Sequence, residues 1–189
     1  MNKTKTLITM LFLVMASSFV GASNLDGNTI WRVLDSSKYS PSGQSFVPSR
    51  STISGVSLAL AKIGNPDDIE IRIGTSFGSS EVYSGKIDSD DVVSRTYATK
   101  MDCEFVDVTF RNKHIKKGQT YYIWLKPKSG NYTKDWYNMC VTRNNIDLYP
   151  KGTRCDVGKC PTNNYAGDML FKTYFNHKYK VDQTLEGIF

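Results

Sequence analysis

"GVSLALAKIGNPDDIEIRIGT", residues 55–75, contains two alternating runs and the turn that joins them. In the first run Val56, Leu58 and Leu60 fall on one face, with Ser57, Ala59 and Ala61 on the other. In the second, Ile69, Ile71 and Ile73 alternate with Glu70 and Arg72. A period of two belongs to a β-strand, whose successive side chains point to opposite faces. Between the runs, "GNPDD" collects the residue types that favour a tight turn. The stretch therefore reads as two consecutive strands of an antiparallel fold.

The same pattern recurs on the C-terminal side. "FVDVTF" sets Val106, Val108 and Phe110 against Asp107 and Thr109. "TYYIWLKP" sets Tyr121, Ile123 and Leu125 against Tyr122 and Trp124, after a "KKGQ" turn signal. "DMLFKTYF" sets Met169, Phe171 and Thr173 against Leu170, Lys172 and Tyr174. Helical periodicity is absent from the exported part, apart from one short turn that "SDDVVS" could form. Many short strands separated by turns predict an all-β antiparallel β-sandwich of jelly-roll type. With no repeat or linker, residues 23–175 read as one domain, with residues 176–189 as a tail that could add a strand.

The first 22 residues read as an export signal. Lys3 and Lys5 precede the fourteen-residue run "LITMLFLVMASSFV", and a cleavage-like "VGA" ends at Ala22. That run is shorter than the roughly 20 apolar residues needed to cross a bilayer. The expected location is secreted, with no membrane span after cleavage. Without Lys3 and Lys5 the 24 Lys and Arg fall to 22 against 18 Asp and Glu, so the exported chain is only mildly basic. No dense Lys/Arg block occurs, and nucleic acid is not an expected partner.

Four cysteines, Cys103, Cys140, Cys155 and Cys160, follow the signal. An even count in an oxidising compartment predicts two disulfides, with three connectivities open. Cys155 and Cys160 flank "DVGK" and can close a small loop, which leaves Cys103 for Cys140. A zinc site is disfavoured, because paired C-x-x-C elements are missing and His114 and His177 stand far apart.

The ordered segments carry a resemblance. "GQSFVPSRSTISGVSLALAKIGNPDDIEIRIGT", then "FVDVTF", "IKKGQTYYIWL", "NYTKDWY" and "AGDMLFKTYF" resemble extracellular β-sandwich modules of the choice-of-anchor type. Those modules are similar in plan to carbohydrate-binding jelly rolls. The resemblance spans roughly residues 43–175 and implies an extracellular setting without a defined catalytic site. The insertion "CVTRNNIDLYPKGTRCDVGKCPTNNYAG" and the tail depart from the pattern.

"GNYTKDWYNMC", residues 130–140, is the densest aromatic stretch. As a strand it places Trp136, Asn138 and Cys140 on one face and Tyr137 and Met139 on the other, so one of Trp136 and Tyr137 should lie near water. An exposed ring is a good sugar platform, because its face receives the apolar side of a pyranose. Trp124, Tyr132, Trp136, Tyr137 and Tyr149 are the candidate ligand-binding residues, with Tyr122 and Tyr165 as further contributors. The competing reading is that strand aromatics pack the core, and this is the expectation for "DWYNMC". Asn131 heads an Asn-X-Thr sequon.

Asp67 with Asp68, and Asp88 with Asp90 and Asp91, would suit a structural calcium, but neither group forms a calcium loop. Solvated turn acids and no cofactor are expected. No G-x-S-x-G, H-E-x-x-H, P-loop or dinucleotide fingerprint occurs. His114 sits in the basic turn "RNKHIKKG" and reads as surface, and no catalytic residue is assigned among Glu70, Glu81 or Glu104. The functional expectation is a non-catalytic binding or adhesion module at the cell surface, engaging a glycan or a surface protein. The alternative is a self-assembling subunit of an extracellular matrix or filament, joined by strand addition at its apolar termini.

Overall fold

The computed structural model describes residues 29–33, 42–95, 103–127, 135–142, 149–155, 160, 168–175 and 180–184. The signal segment, Asn131, Tyr132, Tyr165, His177 and residues 185–189 lie outside these. Among the described residues are eleven strands. They are β1 (Thr29–Val33), β2 (Ser42–Phe46), β3 (Thr52–Ile63), β4 (Ile69–Gly74), β5 (Tyr83–Ile87), β6 (Glu104–His114), β7 (Tyr121–Pro127), β8 (Trp136–Thr142), β9 (Arg154–Cys155), β10 (Phe171–Phe175) and β11 (Lys180–Thr184). They form two packed antiparallel sheets. One contains β1, β8, β3, β10 and β11, with β6 also on β3; the other runs β5-β4-β7-β2-β9.

The two opening runs become β3 and β4, and Gly64 between them takes the positive φ of 68° that a Cβ would oppose. "SDDVVS" supplies a short 3-10 turn at Ser89–Asp91. Of the alternations, β4 keeps its pattern: Ile69, Ile71 and Ile73 are buried, and Arg72 donates to Glu70 at 2.7 Å on the outer face. β3 differs, because every residue from Ile53 to Ile63 is buried. Its backbone is also paired along its length. β3 pairs with β6 over Thr52–Leu60, with β10 over Gly55–Leu58 and with β8 over Leu60–Ile63. At Gly55 the carbonyl of Val108 approaches to 2.8 Å of where a Cβ would stand, and the Tyr174 ring to 3.3 Å.

A polar bridge joins the sheets inside the core. Gln44 of β2, fully buried, donates from Nε2 to Asp168 Oδ1 at 3.0 Å, and its Oε1 accepts from the Met169 N–H at 3.1 Å. Asp168 Oδ2 accepts from the Tyr149 N–H at 3.0 Å. Thus the Gln-Ser-Phe segment and the "DMLF" segment, 124 residues apart, are held together directly.

Both disulfides form. Cys103–Cys140 ties the residue before β6 to β8, and Cys155–Cys160 closes the small loop after β9. The segments near the termini pair within their own sheet, β1 on β8 and β11 on β10. Tyr83 of β5 stacks on Phe110 of β6 with centroids 4.2 Å apart, closing the core between the sheets.

Asp168 accepts from two donors at once, a task that needs both carboxylate oxygens. Asp168→Asn, though isosteric, turns an amide N–H₂ toward one of them. Thermal unfolding should show a loss of about 2–3 kcal/mol for Asp168→Asn, close to that of Asp168→Ala. Wild-type stability in the Asn variant would remove the bridge from the account of the core.

A loop-end aromatic and basic surface as the candidate functional site

The aromatic candidates divide by burial. Trp124, Trp136 and Tyr137 are 1%, 8% and 1% exposed. The expectation that Trp136 or Tyr137 would face water is corrected: β8 pairs with β3 over Trp136–Met139 and with β1 over Asn138–Thr142, and both its faces are covered. Tyr137 enters the core and its hydroxyl donates to the Asp67 carbonyl at 2.9 Å. Burial pushes this phenol above its ordinary range. Trp136 pairs across from Ile63.

Trp124, on the outer face of its sheet, stands between Gly43 of β2 and Arg72 of β4 and contacts Phe77. It lies against Gly43, where an added Cβ would meet Trp124 Cα at 2.7 Å and Cβ at 2.8 Å and run into the Ile123 carbonyl. From the other side the Phe77 ring folds over it, with centroids 5.8 Å apart. Tyr149 is half-buried and works as a staple. Its hydroxyl accepts from the Val47 N–H at 2.9 Å and donates to the Val47 carbonyl, and its ring stands edge-on to Phe171.

Phe77 and Tyr122 are half-exposed, as are Tyr83, Phe105, Phe110 and Phe175, and the Phe77 and Tyr122 rings stand 6.2 Å apart, edge to face. Phe77 is not among the sequence candidates. Its signal is an apolar residue alone in the polar turn "TSFGSSE" between two strands. That turn is pinned by Glu81, whose carboxylate accepts from the Thr75 N–H at 3.0 Å, from Thr75 Oγ1 at 3.2 Å and from Ser79 Oγ. Gly78, at φ +100°, reverses the chain. These bonds, the Ser79 one foremost, hold the Glu81 carboxyl below the usual glutamate range.

Several loops meet at this end. The Ile115 N–H donates to the Ser51 carbonyl at 3.0 Å and the Gly118 N–H to the Pro48 carbonyl at 3.0 Å, which joins the β2–β3 and β6–β7 connections. Val47 is bonded to Tyr149, which opens the turn carrying Lys151. Gly74, where the Phe77 turn begins, pairs with Tyr122. Arg50, Lys113, His114, Lys116, Lys117 and Lys151 are all exposed here, and Arg50 stands over the Phe175 ring at 4.9 Å.

The opposite end carries the carboxylates. Lys62, buried, donates from Nζ to the Ser89 carbonyl at 2.7 Å and to Ser89 Oγ at 3.1 Å, with Asp90 at 3.7 Å. Asp68 accepts from the Ser89 N–H at 3.0 Å and pairs with Lys86, which also pairs with Asp88 and is thereby held above the ordinary lysine range. Instead of being merely solvated, three of the five turn acids meet lysines. Among the described residues no three His, Cys, Asp or Glu side chains gather as metal ligands.

A depressed carboxyl pKa means that Glu81's support is present above the unfolded-state value and is lost as pH falls through the folded one. The Thr75 amide resonance should therefore hold its position from neutral pH down to the ordinary glutamate value of 4.5 and move only below it. Glu81→Gln should abolish that acid transition; an amide that titrates at or above the ordinary value would refute the pinning. No protein-family model, curated protein or solved structure matches the chain.

Proposed function

We propose that the chain is a secreted, non-catalytic binding module that acts at a cell surface and receives a glycan at its loop end. The observation that carries this reading is the half-exposed Phe77–Tyr122 pair, set on a sheet face by a turn that its own glutamate pins. An edge-to-face pair offers a ring surface at low ordering cost, because each side chain is already held before a ligand arrives. Binding sites on loops that a rigid scaffold positions are a common arrangement. The two disulfides are compatible with an extracellular protein. No helix among the described residues is long and apolar enough to cross a membrane. The jelly-roll plan and the likeness to choice-of-anchor modules belong to this proposal.

Glycan-array screening of the chain, with Phe77→Ala and Tyr122→Ala beside it, tests the reading. Binding to a limited set of glycans is expected, reduced about two- to tenfold by either substitution, since an aromatic contact is worth roughly 0.5–1.5 kcal/mol beyond its area. Trp136→Ala should act through stability, because that ring is buried. No glycan bound by a folded chain would end the proposal.

A further inference from the structure

The charges of this chain are sorted along the length of the sandwich. β3 runs from Thr52 to Ile63, about 36 Å at the usual rise per residue, and the two ends of the sandwich sit at its two ends. At the Thr52 end, Thr52 pairs with His114 and Ile53 with Lys113. The connections there bring in Arg50, Lys116, Lys117 and Lys151. The described segments that build this end are acid-poor: residues 47–55 and 108–122 contain no Asp or Glu. Across residues 47–51, 75–82, 111–120 and 149–153, Glu81 is the single acid, and its oxygens are engaged by Thr75 and Ser79. At the Ile63 end stand Asp67, Asp68, Asp88, Asp90 and Asp91. Among the described residues the loop end is therefore cationic and the opposite end acid-rich.

We infer that the loop end binds an anionic polysaccharide, one bearing carboxylate or sulfate groups along its chain. This rests on the binding-module reading and names its ligand class. Cations concentrated on one face, with Glu81 as the single acid among those connections, attract a polyanion over a distance set by the ionic strength. The Phe77–Tyr122 surface belongs to the same end, since Tyr122 follows the 115–120 connection and Phe77 lies in the turn beside it. Ring faces for the apolar side of a sugar and ammonium groups for its acidic substituents are what an acidic glycan requires together. A duplex nucleic acid would use the cations and leave the rings idle. A bilayer surface favours an amphipathic helix, and among the described residues there is none.

The test is affinity of the purified chain for heparin, polygalacturonate and neutral dextran, measured between about 50 and about 300 mM NaCl, a range over which the screening length shortens by more than half. Binding to the acidic polymers that weakens steeply with salt is expected, with dextran bound weakly or not at all. Lys116→Glu with Lys117→Glu should lower the affinity for the acidic polymers by about tenfold or more at low salt, through reversal of the local field. Lys126→Glu, an exposed lysine on β7 away from the loop end, should change it less than about twofold. Salt-independent binding to neutral sugars, lost in Phe77→Ala, would overturn the anionic assignment and leave the module reading standing. Binding to acidic polymers that the double charge reversal leaves unchanged would overturn the placement. Tighter binding to duplex DNA or to phosphatidylserine vesicles at equal salt would overturn the ligand class. No binding to any polysaccharide by the folded wild-type chain would sink both.

Discussion

The structure depends on one strand having three partners. β3 is twelve residues long and pairs with β6, β8 and β10, so its backbone groups are engaged along nearly all its length. Its residues from Ile53 to Ile63 are also buried on both faces. Leu58 and Leu60 face the second sheet, while the opposite face carries Ser57, Ala59 and Ala61. Small side chains on a covered face let neighbouring segments approach closely. A central strand of this kind cannot also carry exposed function. The chemistry of the molecule is displaced to what the strand leaves free at its two ends.

Inside the sandwich, the Gln44–Asp168 bridge performs a different task from the apolar contacts. Leu58 or Ile71 would be almost as well buried after a small slip of one sheet on the other. Gln44 would not, because its amide donates to Asp168 and accepts from Met169 in one geometry only. Unpaired buried polar groups cost free energy that a slipped packing does not return. The bridge therefore selects a single register between segments far apart in the chain. It also accounts for why the Gln-Ser-Phe and "DMLF" stretches stand out in the sequence as distinct segments: they touch. Tyr149, pinned to both Val47 and Asp168, extends the same constraint to the loop end.

Much of this architecture is legible in the sequence, and the failures have physical causes. Strand periodicity depends on near neighbours, so β4, whose outer face stays partly open, alternates as its residues suggest, with Ile69, Ile71 and Ile73 inward. The same rule misleads for Trp124 and Trp136. Whether an outward ring is exposed depends on what lies over it, which for Trp124 is Phe77 from the β4–β5 turn, and no local pattern carries that. The loop-end surface is hidden for a related reason. "RNKHIKKG" is visible as a basic turn, but Arg50 and Lys151 join it only through the bonds of Pro48 to Gly118 and of Val47 to Tyr149. Counting charge along the chain averages away a patch that folding assembles from distant segments.

The two ends of the sandwich also differ in how their charges are used, and that difference bears on which end is available for contact. At the Ile63 end Lys62 and Lys86 meet Ser89, Asp68, Asp88 and Asp90, so much of the field is consumed in holding the 3-10 turn against the sheet. At the Thr52 end the connections are held by other means: backbone bonds between residues 48–51 and 115–118, the Tyr149 hydroxyl, and the Glu81 carboxylate within its own turn. The lysines there contribute little to that scaffold. Like charges gathered on a surface repel one another and lower stability. A cationic cluster beside half-exposed rings is the surface that the proposed acidic ligand would engage.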